Sequence, residues 1–435
     1  MNVIVLGAGV DANIGLPLTG ELIPKLAEYA STAEGQALDA LLRSVLPRLM
    51  FRFEDFVRKT IDRFADEFNR EMGLIKESIS QELNTNASLS EDERKMGTLI
   101  TILMDKLIGM RAGTTIDTET QNLIREVLGE EVLVGDASLI DYSKIVFTDT
   151  FKAVLRTILQ KSMTDSRHPI LQHVYRNILD IEQLFLKYFI GFYTGQESSI
   201  KSYIYITWML WDFLVSEEKK IFLRMGDNYV NLPVYYQLQN HPEWTIVSFN
   251  YTTFASQFTR DNAIYFHGCV TDYVEVETKI TTTIREEIYN NIDVIDFFRD
   301  NILPNIDFSP NHRRFTIPSF LPPLKLKPVL GKNFIKNWYN AAKAIEESDK
   351  IIIIGYSFSA SDEHFNAILR EYINNKEIII IDPNPSGILQ HLANAMGIDT
   401  SRSTQCRIQN HSAYVFNAHI TLVEALGNEI DLSQL

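Results

Sequence analysis

Val3-Ile4-Val5-Leu6-Gly7-Ala8-Gly9-Val10-Asp11-Ala12-Asn13-Ile14-Gly15-Leu16-Pro17 opens the chain with an apolar run of strand length, a Gly-Ala-Gly turn and helix-compatible sequence. Gly7, Gly9 and Ala12 fit the spacing G-x-G-x-x-G/A, in which residues without bulk let the backbone approach a pyrophosphate. The amides that begin the following helix would then face its negative charge. Short glycine-rich turns serve many strand-to-helix connections, so the turn indicates a nucleotide site only together with other features. A hydride-transferring dinucleotide domain would add a second strand ending in an acidic residue about 20 residues on, to hold the ribose. Residues 22–49 read instead as helix, with Leu22, Leu26, Leu38, Leu41, Leu42, Val45 and Leu46 at helical spacing.

Three later segments repeat the strand-then-turn arrangement. Thr245-Ile246-Val247-Ser248-Phe249-Asn250-Tyr251 ends at an Asn, and Ile264-Tyr265-Phe266-His267-Gly268 at a His-Gly. Ile351-Ile352-Ile353-Ile354-Gly355-Tyr356-Ser357 runs into a glycine turn followed by Asp362 and His364. From Trp244 onward strands alternate with helices expected at 334–347 and 362–374, and a further strand is expected at 273–280. That alternation implies a parallel sheet with helices on both faces. Residues 57–239 read as almost wholly helical, in sets such as Leu99, Ile102, Leu103 and Leu107, with loops expected at 88–95 and 109–118. The expected fold is therefore α/β: a Rossmann-like doubly wound parallel sheet split by a large helical insertion. Residues 1–56 and 240–400 would form the nucleotide-binding domain, 57–239 the insertion, and 401–435 a C-terminal tail for oligomer or partner contact.

Composition narrows the function classes. A chain of 435 residues with 45% hydrophobic content can bury a sizeable core, most naturally in two lobes. A net charge of −15 with no basic block excludes a direct nucleic-acid surface, which needs clustered Lys and Arg to displace counterions. The most apolar stretch, 203–215, is too short to cross a bilayer and contains Asp212, so it reads as a core helix and no membrane association is expected. The N-terminus begins a strand with no basic segment before it, so no signal peptide and a cytoplasmic location are expected. Cys269 and Cys406 are the two cysteines, which leaves no four-cysteine zinc site and suits a reducing compartment.

The four motifs, in this order, resemble those of the sirtuin (silent information regulator) superfamily and especially its bacterial sirtuin-like branch. Residues 7–17 are similar to the family's opening motif, 245–251 to the strand ending in its Asn, 264–268 to the strand ending in its His-Gly, and 351–357 to its late Gly-x-Ser strand. Phe53-Glu54-Asp55-Phe56 is a further short motif found in sirtuin-like proteins. The resemblance covers roughly 1–56 and 240–400. It implies NAD+ as substrate, with Asn250 and His267 catalytic and Gly7, Ala8, Gly9, Asp11, Asn13, Pro17, Gly355, Ser357, Asp382 and Asn384 binding the cofactor. No metal is expected, because the paired Cys-x-x-Cys zinc module of sirtuin deacylases is missing. Asp11 stands where the family usually has Ser, so its carboxylate must point away from the phosphates or pair. Leu18-Thr19-Gly20 replaces the Phe-Arg pair that deacylases place beside the nicotinamide.

The chemistry suits these residue types. Breaking the nicotinamide–ribose bond expels a neutral leaving group, so the demand falls on positioning and on stabilising an oxocarbenium-like ribose. An Asn amide both donates and accepts, and a His can take a proton near neutral pH. Other roles stay open for several residues. Asn250 could cap a helix starting near Thr252, Gly355 and Ser357 could simply make a tight turn, and Asp382 and Asn384 could cap the next helix. Asp362 and His364 read as structural or interface residues. The resemblance implies an NAD+ glycohydrolase serving as an antiphage defence effector that depletes cellular NAD+ in abortive infection. The alternatives are an NAD+-dependent protein deacylase or ADP-ribosyltransferase, and a non-catalytic NAD or ADP-ribose sensor. A homo-oligomer and a HerA-like hexameric ATPase partner are expected on the same basis.

Overall fold

The apolar runs near the two ends of the sequence pair with each other in space. In the computed structural model, residues 2–19, 22–53, 55–56, 181–225, 233–259, 262–309, 313–322, 331–416 and 419–435 are described, with a few isolated positions between 80 and 140. The loops expected at 88–95 and 109–118, the helix expected around Leu99–Leu107 and Glu54 of the Phe-Glu-Asp-Phe motif lie outside the described residues. The chain divides into two compact units, Met1–Met50 with Ile181–Leu435, and Phe51–Asp180. In the second unit, β2 (Leu133–Val134) and β3 (Leu139–Ile140) form a short antiparallel pair.

In the first unit, β1 (Asn2–Leu6) lies between two parallel neighbours, β4 (Thr245–Ser248) and β9 (Lys350–Ile354). Parallel pairing continues outward to β5 (Ala263–Tyr265) on one side and to β10 (Glu377–Asp382) and β13 (Ile420–Glu424) on the other. β12 (His411–Phe416) and β11 (Thr404–Ile408) close that edge antiparallel, giving the order β11-β12-β13-β10-β9-β1-β4-β5. The expected doubly wound Rossmann-like sheet is therefore present. Helices cover it, and those formed by 332–347, 363–370 and 385–396 pack Ala341, Ile345, Phe365, Leu369 and Leu392 against β-strand side chains. Val3–Leu6, Ile351–Ile354 and Ile378–Ile381 are all essentially out of water, which is why these strands are unbroken runs of branched apolar residues. Each such side chain contributes roughly 1.5–3 kcal/mol relative to exposure.

Strand order fixes where a ligand would lie. From β1 the chain builds outward through β4 and β5, then returns to the other flank of β1 with β9 and β10. The point of reversal is between β1 and β9, and open sheets of this kind bind ligands outside the carboxyl ends of the strands there.

Two expected boundaries differ. The segment 181–239 belongs to the unit that holds the sheet. The long helix Glu197–Met225 is seated on a second sheet made of β7 (Thr281–Thr283), β6 (Gly268–Glu275) and β8 (Thr316–Phe320). Trp208 Nε1 donates to the Thr316 carbonyl at 2.9 Å and Trp211 Nε1 to the Val270 carbonyl at 2.6 Å. Residues 203–215 are buried on every side for that reason, in keeping with a core helix. The expected C-terminal tail is also built into the fold, since β11, β12 and β13 come from 404–424 and Ile420, Leu422 and Val423 are wholly buried. The strand expected at 273–280 begins earlier, directly after His267, and ends at Glu275. Among the described residues no helix is long and apolar enough to cross a membrane.

Candidate active site

The carboxyl ends of five parallel strands bring most of the singled-out residues to one edge. Leu6 is level with Ile354 and with Ser248, Ile354 with Ile381, and Ser248 with Tyr265. Gly7, Gly355 and Asp382 consequently share one row, while Asn250 and His267 each stand two residues beyond the level pair Ser248 and Tyr265. Five strands at roughly 4.8 Å spacing make this row about 19 Å long.

The two glycine turns are packed backbone to backbone. Gly7 N donates to the Ile354 carbonyl at 2.9 Å, and Gly9 N to the Gly355 carbonyl at 3.0 Å. A Cβ on Gly7 would lie 2.3 Å from Gly355 O and 2.5 Å from Tyr356 Cα. Gly355 adopts φ +61°, and a Cβ there would lie 2.8 Å from Gly9 Cα. Gly355 thus makes a tight turn after its strand. The helix after the first turn, Ala8–Ala12, is a single turn, and Val10 N is already bonded to the Gly7 carbonyl at 3.1 Å. Ala8, Asn13 and Ser357 are exposed.

Asn250 does not cap a helix. The next helix starts at Phe254, and the Asn250 amide reaches across instead to donate to the Gly7 carbonyl at 3.1 Å. The side chain is buried and near enough to the Tyr235 hydroxyl to favour its ionised form slightly against burial. That hydroxyl in turn donates to Asp11 Oδ1, and Thr252 Oγ1 donates to Asp11 Oδ2 at 2.6 Å. Asp11 thus meets the demand set by its position by turning inward and pairing, beneath the turn. Burial raises its pKa to about 6, against the lowering effect of the Thr252 and Tyr235 bonds. Next along the chain, Thr253 holds a second buried carboxylate. Glu218 accepts from Thr253 N at 3.1 Å, from the Thr253 hydroxyl, and from Tyr289 OH at 3.2 Å. Burial lifts Glu218 to about 7, the Thr253 bonds pull it down, and the nearby Asp11 adds to the rise.

These two groups give a pH prediction. Carboxyls whose folded pKa lies above the unfolded value near 4 hold their protons longer in the native state. Their contribution is complete below about pH 4 and is lost as pH rises through about 6 for Asp11 and about 7 for Glu218. The melting temperature should therefore fall between pH 5 and pH 8, and Glu218→Gln should flatten that slope. A melting temperature that rises over this range, or a slope unchanged in the variant, would contradict the assignment.

His267 is buried with its ring edge-on to Phe249, 4.9 Å between centroids at 82°. Its Nε2 lies 2.9 Å from Asp362 Oδ1. Asp362, expected to be a structural or interface residue, is therefore in contact with a candidate catalytic group. His364 is exposed and packs beside Trp338. Asp382 accepts from Asn384 N at 2.8 Å, and Asn384 Oδ1 accepts from Gly387 N at 3.2 Å, so this pair caps the helix Pro385–Met396. Pro17 faces elsewhere, lining a cleft of about 380 Å³ with Leu16, Tyr29, Phe213, Lys25 and Lys220. That cleft does not reach Asn250, His267 or Gly355.

Sequence reasoning missed Tyr235, Glu218 and Thr252. Tyr235 and Glu218 sit in the segment read as insertion. Thr252 and Thr253 directly follow Asn250-Tyr251, so two hydroxyls beside a site Asn were the available signal. Among the described residues no three His, Cys, Asp or Glu side chains are grouped to hold a metal ion. Burial pushes the Cys269 thiol up to about 12, while Cys406 is exposed.

No protein-family model and no curated protein matches the chain. Solved sirtuin structures match part of it. One, on the structural basis for sirtuin substrate affinity, shares 13% identity over 40% of this chain and 70% of that chain, with a TM-score of 0.24. Sir2Tm bound to a propionylated peptide shares 14% over 43% of this chain and 83% of that one, TM-score 0.25. Sir2 bound to acetylated peptide shares 14% over 43% and 82%, TM-score 0.25. The fold assignment stands on the strand order of this chain itself.

Proposed function

We propose that this protein is a sirtuin-like NAD+ glycohydrolase that releases nicotinamide and ADP-ribose. The observation that carries the reading is the placement of Asn250 and His267. They follow neighbouring parallel strands at equivalent positions, and Asn250 is bonded to the glycine turn at the point of strand reversal. The row from Asp382 to His267, about 19 Å, has the length for a dinucleotide lying across the strand ends. In the reaction the bond between ribose C1′ and the nicotinamide nitrogen breaks, and its electron pair leaves with neutral nicotinamide. Water bonds to C1′ and gives its proton to His267, while Asn250 positions the ribose or the water. Gly7, Ala8, Gly9, Gly355 and Ser357 supply the adjoining rim, and no metal takes part.

The same reading extends to a cytoplasmic antiphage effector that depletes NAD+ and halts the infected cell. Such an enzyme must be silent at rest. Asn250 and His267 are 6% and 5% exposed, and the amides of Gly7, Gly9 and Val10 are all engaged, which accords with a resting conformation. Activation would come from assembly into a homo-oligomer or with a HerA-like hexameric ATPase. The test is cellular NAD+ during phage infection, with and without an ATPase encoded beside the protein. NAD+ should collapse with the wild-type chain and stay level with Asn250→Ala. Protection of the culture with NAD+ unchanged would reject the depletion role.

A further inference from the structure

We propose that Asp362 is a positioning residue for His267, so that the two form a buried His–Asp dyad. This rests on the reading of His267 as the base. Asp is among the residues most favoured to cap a helix, and Asp362 stands at the N-cap of the helix Glu363–Arg370. Its side chain nonetheless makes no capping bond. The preceding turn is closed by Ser359, whose hydroxyl accepts from Ser361 N at 3.2 Å. The carboxylate is turned instead to His267 Nε2, 2.9 Å away, with the two side chains only 12% and 6% exposed. Placing a carboxylate this far from water is costly unless it has a partner, and a ring nitrogen is a partner that can carry the balancing charge.

Among the described residues Tyr251 and Tyr356 are titratable neighbours of the pair, and burial, reinforced by Asp362 itself, raises both above the ordinary tyrosine value. Tyr251 OH donates to the Leu321 carbonyl at 2.6 Å and Tyr356 OH to Asn366 Oδ1 at 2.9 Å, so both are neutral donors committed elsewhere. Glu363 is exposed and paired with Arg370 at 2.7 Å. With Nε2 beside Asp362, the dyad assigns proton transfer to the other ring nitrogen, Nδ1. When water attacks C1′, its proton passes to Nδ1, and the Asp362 carboxylate stabilises the imidazolium without being protonated.

The decisive readout needs no turnover. In wild-type protein carrying labelled histidines, nine in all, the His267 nitrogen resonances report the tautomer, with His267→Gln assigning them. The dyad requires the neutral ring to carry its proton on Nε2, and a proton on Nδ1 overturns it. In steady-state kinetics, Asp362→Asn should lower kcat roughly 10–100-fold with KM within about threefold. It should move the acidic limb of the rate profile to lower pH, because removing a neighbouring anion lowers the histidine pKa. Asp362→Glu should recover part of the rate, and it remains informative where the Asn variant fails to fold. An unmoved limb with kcat within about threefold of wild type would reject the dyad. Absence of wild-type NAD+ turnover both alone and with the ATPase encoded beside it would instead reject the glycohydrolase reading, with the tautomer still deciding on Asp362.

Discussion

Asn250→Ala and His267→Gln should each reduce nicotinamide release by roughly two orders of magnitude or more, measured as kcat on purified protein. The effects differ in kind. Asn250→Ala removes the amide that donates to the Gly7 carbonyl, leaving that carbonyl with Val10 N alone and a small void beneath the turn. A stability loss of about 1–3 kcal/mol should accompany the lost turnover. His267→Gln keeps a polar side chain beside Asp362 and removes the group that accepts the proton, so kcat should fall with little change in affinity for NAD+. Retention of rate in either variant would remove that residue from the mechanism. Retention of the biological output in Asn250→Ala would favour the sensor alternative.

Gly7→Ala and Gly355→Ala should be the most destabilising single-methyl additions in the strand-end row. At Gly7 the new Cβ would sit 2.3 Å from a carbonyl oxygen and 2.5 Å from a backbone carbon, neither of which can swing aside as a side-chain tip would. The turns would have to separate, breaking the Gly9 N to Gly355 O bond that joins them. Gly355→Ala adds a left-handed backbone, φ +61°, to a 2.8 Å clash with Gly9 Cα. Overpacking of this kind costs about 1–3 kcal/mol and often more, with a further ~1–2 kcal/mol for the left-handed residue. Denaturant midpoints should therefore drop well below those of a control such as Gly195→Ala, where a Cβ meets nothing within 4 Å although φ is +79°. Equal midpoints for Gly355→Ala and Gly195→Ala would show that the turns do not depend on their close approach.

Much of the sheet was legible because its central strands are buried on both faces and are spelled as Val and Ile runs. The site edge followed, since Gly7, Asn250, His267 and Gly355 are the residues at which those runs stop. The strands at 404–424 were not legible for a specific reason. Their hairpin turns at Gln409-Asn410, both at positive φ, without the glycine that normally marks such a turn. The helix at 197–225 was readable as a helix, but periodicity cannot say that Trp208 and Trp211 bond to strands far along the chain. Asp11 posed its problem in the sequence, a carboxylate in a turn expected to meet phosphate. Its solution, Tyr235 and Thr252, required the tertiary structure. Asp362 and His267 likewise meet only because the loops after β5 and β9 converge.

The most direct measurement is product analysis of NAD+ incubated with the purified protein, alone, with an acylated peptide, and with an ATPase encoded beside it. The account predicts nicotinamide and ADP-ribose in equal amounts, independent of peptide and absent with Asn250→Ala. Nicotinamide formed only when peptide is present, or NAD+ bound and recovered intact under every condition, would contradict it.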